Sequence, residues 1–366
     1  MTIAMERIWR TPLQALAYRI LPLLWRARLG WLRITLAGVF GAHTYVLVKS
    51  WHADLPAMPY HGWFLDLVPA GVRDMLLQYP NRVAAVVVVL TVLSVIGLGT
   101  RPALFALVLV GLFARSIETS QGVFDHESSL TTQVLFVLVF IPGTNSLSAE
   151  HLIRWWRAGR RDLWRHLAGT YRRWGEYLVL GLLAITYTAS GLSKLRFGGV
   201  SWLNGDTLGF YLRGLTAGDQ VYNVGGGPAT WRDDFGLEMY TYGNYAFGQY
   251  PSATFAAAVD WLAHTPALLA VISTATVLLE VCGLLLFIPR LRSIMLIAYM
   301  GMHTTIGLLM GLPFLQYQLI CFLFIEWELV AAFLAVRLAR RNAPATIEAD
   351  GTMSPVGGPA REHQRG

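Results

Sequence analysis

The chain has 366 residues, 55% apolar and 14% charged, with a mean hydropathy of +0.47, a balance that excludes an ordinary water-soluble domain. Its net charge of +7 comes from basic residues that alternate with apolar runs, so the expected partner is the lipid bilayer and not a nucleic acid, which would need one basic groove or helix face. Cys282 and Cys321 each lie inside an apolar run, where a thiol behaves as a small hydrophobe and no disulfide framework is expected.

In chain order, residues 1–33 carry Arg7, Arg10, Arg19, Arg26, Arg28 and Arg33, with Trp9, Leu13, Leu16, Ile20 and Leu24 at helical spacing. This pattern predicts an amphipathic segment on the cytoplasmic leaflet with its arginines toward the headgroups, in place of a cleavable signal peptide. Eight apolar runs able to cross roughly 30 Å of hydrocarbon follow. They lie at 34–50, 83–99, 102–118, 128–142, 177–195, 266–288, 291–312 and 314–335. The third and fourth are short enough to be re-entrant instead. A spanning segment must satisfy its own backbone polar groups, and the alternating pattern of a barrel is missing. The expectation is an all-α polytopic bundle of about eight transmembrane helices, in a domain over 34–335.

Three further segments complete the layout. Residues 143–176 form an Arg/Trp-rich connection, 196–265 a Gly/Tyr-rich loop, and 342–366 a Pro-, Gly- and polar-rich tail that predicts disorder. The loop is longer than joining two helices requires, and its aromatic residues argue for order and function. With eight crossings the arginine-rich stretches share one side and most acidic loop residues the other, which puts both termini in the cytoplasm, in a membrane expected to be the bacterial cytoplasmic one.

The 29 basic residues include only two lysines, Lys49 and Lys194. Arginine stays charged at any working pH, whereas a buried lysine can lose its proton and act as a base. Lys49 reads as snorkelling to the interface. Lys194, in Tyr187-Thr-Ala-Ser-Gly-Leu-Ser-Lys194, has two readings, a snorkelling side chain at an outer helix end or a functional intramembrane group. His303 and His43 lie within predicted spans, and each either hydrogen-bonds a neighbouring helix or transfers protons. His126, in Phe124-Asp-His126-Glu, is either a substrate contact or a wet loop residue. Glu280 lies near the middle of the sixth run, where an ionised carboxylate costs about 2.5 to 3.5 kcal/mol, so it must be protonated or paired; its first reading is an interhelical bond. No histidine, cysteine or acidic spacing makes a metal motif. Lys194, His303, His43 and His126 all fall in the outer half of the membrane in this topology, which predicts an outward-facing site.

The stretch Ser190-Gly-Leu-Ser-Lys194-Leu, followed by Ser201-Trp-Leu-Asn-Gly205 and Tyr211-Leu, resembles the vitamin K-dependent γ-carboxylase family, which includes the bacterial horizontally transferred transmembrane (HTTM) domain proteins. Gly283-Leu-Leu-Leu-Phe287, Tyr299-Met-Gly-Met-His303 and Gly311-Leu-Pro-Phe314 look like later helices of the same domain. The resemblance implies that Lys194 is the base that deprotonates reduced vitamin K or a menaquinone-type quinol, with His303 as proton partner. It implies a pocket shaped by Tyr187, Trp202, Gly205, Tyr211, His43 and His126. Family carboxylases have two adjacent lysines and a large extramembrane C-terminal domain. Here Ser193 precedes Lys194 and the chain runs only briefly past the last apolar run, so the expectation is quinol-dependent chemistry more than glutamate carboxylation. The alternative is a non-catalytic partner that assists maturation or export of a secreted peptide, with 196–265 as its docking surface.

Overall fold

The computed structural model describes residues 27–51, 63–120, 127–159, 167, 173–216, 252–310 and 314–327. The predicted segment up to residue 26, the tail 342–366, His126 and residues 217–251 of the long loop lie outside the described residues. The chain divides after Ile325, and the helices named below all precede that point.

Among the described residues the regular structure is entirely helical. The helices are α1 Arg28–Lys49, α2 Ala70–Gln78, α3 Pro80–Ile96, α4 Thr100–Ser120, α5 Glu127–Phe140, α6 Ala149–Arg157, α7 Arg173–Phe197, α8 Asp206–Thr216, α9 Ala253–Ala263, α10 Pro266–Val281, α11 Pro289–Met310 and α12 Leu315–Phe324. A 3-10 turn, Cys282–Phe287, extends α10. Five of these, α1, α4, α7, α10 with its extension and α11, are long and apolar enough to cross a membrane, and α2 with α3 makes a sixth if counted as one bent span. The chain is a multi-pass helical membrane protein. All eight predicted runs contain a helix, but α5 has 14 residues and the described part of the last run, α12, has 10, which is about 21 Å and 15 Å of helix at 1.5 Å per residue.

Local chemistry sets the breaks. Pro80 and Pro266 stand at helix starts, where proline's missing N–H is not needed. Tyr79 precedes Pro80 and is pushed out of the helical region, and α2 meets α3 at 90°. Gly97 ends α3 in the left-handed conformation at φ +71°, its N–H bonded to Leu93 O. Ser148 and Ser252 cap α6 and α9 through bonds from the amides of His151 and Phe255. At the end of the 3-10 turn, buried Arg292 donates from Nε to Leu286 O at 3.0 Å, which satisfies a carbonyl that the helix end leaves open.

α1 is the central post, packed against α3, α4, α5 and α12, with Leu32, Leu36 and Phe40 fully buried. Arg28 and Arg33, expected to face headgroups, are part of this helix. Arg33 is fully buried and donates to Leu147 O at 3.0 Å, and Arg28 pairs with Glu176 of α7 at 3.6 Å. These arginines tie helices together, because a guanidinium inside a bundle must find carbonyl or carboxylate acceptors.

α7 packs against α10, its 3-10 extension and α5. Two glycines permit the approach. A Cβ at Gly191 would lie 2.7 Å from Val281 N and 3.0 Å from Glu280 Cβ, and one at Gly283 would lie 2.6 Å from Ala184 O. Small residues at such crossings let backbones close in where no hydrophobic effect drives helices together. A Cβ at Gly181, earlier on α7, would meet only Phe287 Cζ at 3.7 Å, an ordinary contact. Gly191→Val should therefore destabilise the purified protein by about 1–3 kcal/mol, as overpacking does, while Gly181→Ala should leave it unchanged or slightly more stable. Thermal unfolding in detergent, followed by tryptophan fluorescence, gives the order, and a Gly181→Ala protein melting below Gly191→Val would contradict this packing.

Candidate functional site

α7 carries Lys194 three residues before its end, and the Gly191 contact sets that end beside Glu280 of α10. Lys194 Nζ reaches Glu280 Oε1 at 2.8 Å and Oε2 at 2.7 Å, and donates to Ser190 Oγ at 2.8 Å. Glu280 is 5% exposed and the lysine side chain 20%. Trp202 covers the ammonium, its ring centroid 5.3 Å from Nζ, a cation–π arrangement that strengthens as water is removed.

This placement bears on the first reading of Lys194, a side chain that snorkels to the interface. The lysine ends its helix, but that end does not reach the end of the bundle. Glu280 lies about two-thirds of the way along Pro266–Phe287, and Tyr299, near the midpoint of α11, donates from its hydroxyl to the adjacent Leu279 O at 2.9 Å. Beyond Lys194 the chain continues past the end of α7 along the first half of α10. Thr274 Oγ1 donates to Leu203 O at 2.8 Å, and Gly205, at φ +82°, lies against the backbone of Leu269 and Ala270. Gly205 thus serves the turn, since any Cβ there would strike backbone. Lys194 is held inside the helical packing by a carboxylate.

The pair closes one end of a cavity of about 380 Å³. The cavity runs between the residues from Ile272 to Glu280 on α10 and from Met302 to Met310 on α11, with Trp202 and Leu208 from the segment that follows α7. Its walls are mostly aliphatic and methionine side chains, and its polar atoms come from the pair and from Ser273, Thr276 and Thr305.

A second cluster lies on the other side of Lys194. Tyr187 OH and His303 Nε2 are 2.7 Å apart and both residues are buried. Tyr187 stacks on Tyr299 at 3.7 Å with rings 2° from parallel, and Cys321 Sγ is 3.9 Å from the Tyr187 hydroxyl. Tyr317 and Phe314 of the α12 region pack against His303 at 5.4 Å and 5.1 Å. His303 does not line the cavity, and its Nδ1 has no hydrogen-bond partner among the described residues.

The predicted residues therefore separate. Lys194, Glu280 and Trp202 meet at the cavity, and Tyr187 and His303 form the neighbouring pair. His43 sits elsewhere, its Nδ1 2.8 Å from Arg115 Nη2 of α4, which fits the interhelical reading. Tyr211 of α8 packs edge-on against Phe210 at 5.6 Å, and burial pushes its phenol above the ordinary value. Neither lines the cavity. Sequence reasoning missed the Lys194–Glu280 partnership and the roles of Ser190, Ser273 and Tyr299. Two had a readable signal: Ser190 is four residues before Lys194 and Tyr299 four before His303, one helical turn in each case. Among the described residues no group of histidine, cysteine and acidic side chains is placed to hold a metal. No family model matches the chain, and no curated protein or solved structure does either.

Replacing one member of a buried ion pair leaves the other charge without compensation, whereas replacing both with apolar residues is often neutral. Lys194→Met should destabilise the fold by about 3 kcal/mol, and Lys194→Met combined with Glu280→Leu should recover most of that loss. Melting curves of the two single variants and the double variant measure this coupling. Additive losses would mean that the two side chains do not depend on each other.

Proposed function

We propose that this protein is a membrane-embedded enzyme that uses a lipid quinol of the vitamin K or menaquinone type, with Lys194 as its base. The reading places eight crossings in a bacterial cytoplasmic membrane, both termini in the cytoplasm and the cavity mouth toward the outside, in keeping with the arginine distribution. The observation that carries it is the Lys194–Glu280 pair at the closed end of an otherwise apolar cavity. A cavity of about 380 Å³ lies in the usual range for small-molecule sites, which combine apolar walls with a few placed polar groups.

The residues present fit a flat, apolar ring with an acidic hydroxyl. Lys194 would hold that hydroxyl, Trp202 would flank it, and the walls of α10 and α11 would take the hydrocarbon body. Such a ring supplies a dissociable proton and two reducing electrons. To act as a base, Lys194 would pass its own proton to the Glu280 carboxylate, 2.7 Å away, and take the ring's proton onto Nζ. Glu280 thus gives the base a partner that keeps the site neutral overall. Ser190 Oγ, accepting from Nζ, orients the amine. Tyr187 and His303 stand behind as a hydrogen-bonded pair able to pass a proton onward.

The resemblance around Ser190–Lys194 and Tyr299–His303 points the same way. The docking alternative rests on 196–265, of which residues 217–251 lie outside the described residues.

Reduced menaquinone or vitamin K analogues should bind the purified protein in nanodiscs, with ligand ionisation visible by absorbance. Lys194→Arg keeps the charge and the ion pair but cannot act as a base, so it should still bind while ligand proton transfer slows by about 100-fold or more. Unchanged binding and ionisation in both Lys194→Arg and Lys194→Ala would remove Lys194 as the base. Failure of the folded wild type to bind any of these quinols would remove the enzyme reading and favour the docking one.

A further inference from the structure

Ser273 lines the same cavity from α10, is 3% exposed, and its hydroxyl has no hydrogen-bond partner. Serine and threonine inside apolar helices ordinarily bond back to the carbonyl one turn earlier. This protein follows that habit at Thr91 with Val87 O, Thr186 with Leu182 O and Thr305 with Gly301 O. Ser273 does not. Among the described residues it is the one cavity-lining side chain with a buried polar atom left unpaired. A buried unpaired hydroxyl is a cost to folding that a ligand can offset.

Its position relative to Lys194 is informative. Ser273 and Glu280 are seven residues apart, which is two helical turns, so they share one face of α10 with about 10.5 Å of rise between them. Leu279 and Thr276 line the wall between these levels, and Ile306 faces them from α11. The cavity thus has a buried polar group at each of these two levels, with Leu279, Ile306 and the Thr276 side chain between them. That rise is of the same order as an aromatic ring with oxygens on opposite sides and a hydrogen bond of about 2.8 Å at each.

On the reading that the cavity takes a quinol, we infer that Ser273 is a specificity-determining residue: it binds the ligand oxygen para to the one held by Lys194. The site then selects rings with two opposed oxygens over amphiphiles with a single hydroxyl, such as phenols or sterols. A site that pairs a buried hydroxyl with ligand rejects analogues lacking the matching atom, because the protein group is left unpaired.

The probes are a menadiol bearing a short prenyl tail and the two naphthols that each lack one of its hydroxyls. All are titrated against wild type, Ser273→Ala and Ser273→Thr in nanodiscs, with melting temperatures measured beside them. Wild type should prefer the diol over each naphthol by about fivefold to tenfold. Ser273→Ala should lose the diol preference over the naphthol that retains the Lys194-facing hydroxyl, and should bind that naphthol as wild type does. Ser273→Thr, which keeps a hydroxyl, should retain the preference. Lys194-dependent diol binding with equal affinities in wild type and Ser273→Ala would overturn this inference and leave the quinol reading standing. Absence of diol binding to wild type would overturn both. A Ser273→Ala loss equal for all three probes would show a packing effect and also overturn it.

Discussion

The close approach of α7 to α10 is the constraint on which the rest of the site depends. Without side chains at positions 191 and 283, two backbones meet at van der Waals distance, and only then can Nζ of Lys194 span to both carboxylate oxygens of Glu280. The same approach excludes water, so the pair attracts far more strongly than it would at a surface. It also fixes where α7 stops. The helix end is held beside Glu280, which leaves the first half of α10 to be covered by the chain from Val200 to Arg213. The cavity is the space between that segment, α10 and α11.

Aromatic stacking extends the arrangement. Tyr299 touches both sides of it, with its hydroxyl on Leu279 O next to Glu280 and its ring on Tyr187. The Tyr187–His303 pair is therefore coupled through packing to the helix that carries the carboxylate. Planar rings in contact have few ways to shift, so the cluster sets the angle of α11 relative to α7 and α10. Phe314, in the left-handed region at φ 43°, presses on His303 from the start of α12. A non-glycine residue held there carries strain, and here the strain accompanies a tight seal around a buried imidazole.

The helices were legible because apolar runs in a bilayer have almost no alternative to the helix, and Pro80, Pro266 and Gly97 mark their ends in the sequence itself. Lys194 was legible as a rarity in an arginine-using chain, and Glu280 as a charge too costly to leave alone. Their partnership was not legible. They are 86 residues apart, and the level at which α7 ends against α10 depends on Gly191 and Gly283, whose effect is a close approach and not a hydropathy pattern. The sequence reading put Lys194 at an outer helix end because it assumed that a helix which ends there also ends at the interface. The chain continues along α10 through the Gly205 turn, so helical packing extends beyond the end of α7. Arg33 misled in the opposite direction: read by type it belongs with headgroups, but the Leu147 carbonyl draws it fully inside.

A lysine–carboxylate bolt between two helices could serve architecture alone, and the choice of residue argues against that as its whole role. Where a guanidinium or ammonium meets a carboxylate elsewhere among the described residues, the cation is arginine, as in Arg28–Glu176, Arg115–Glu118 and Arg154–Glu150. Guanidinium matches carboxylate in two-point geometry and keeps its proton, so it is the better structural fastener. Lysine at this one position gives up that advantage and gains a group that can exchange a proton with its partner. It does so where a cavity meets the pair and where a second hydroxyl on the same helix face is left without a partner. The proposed ligand, with a proton to give and a second oxygen to place, would use all three features at once.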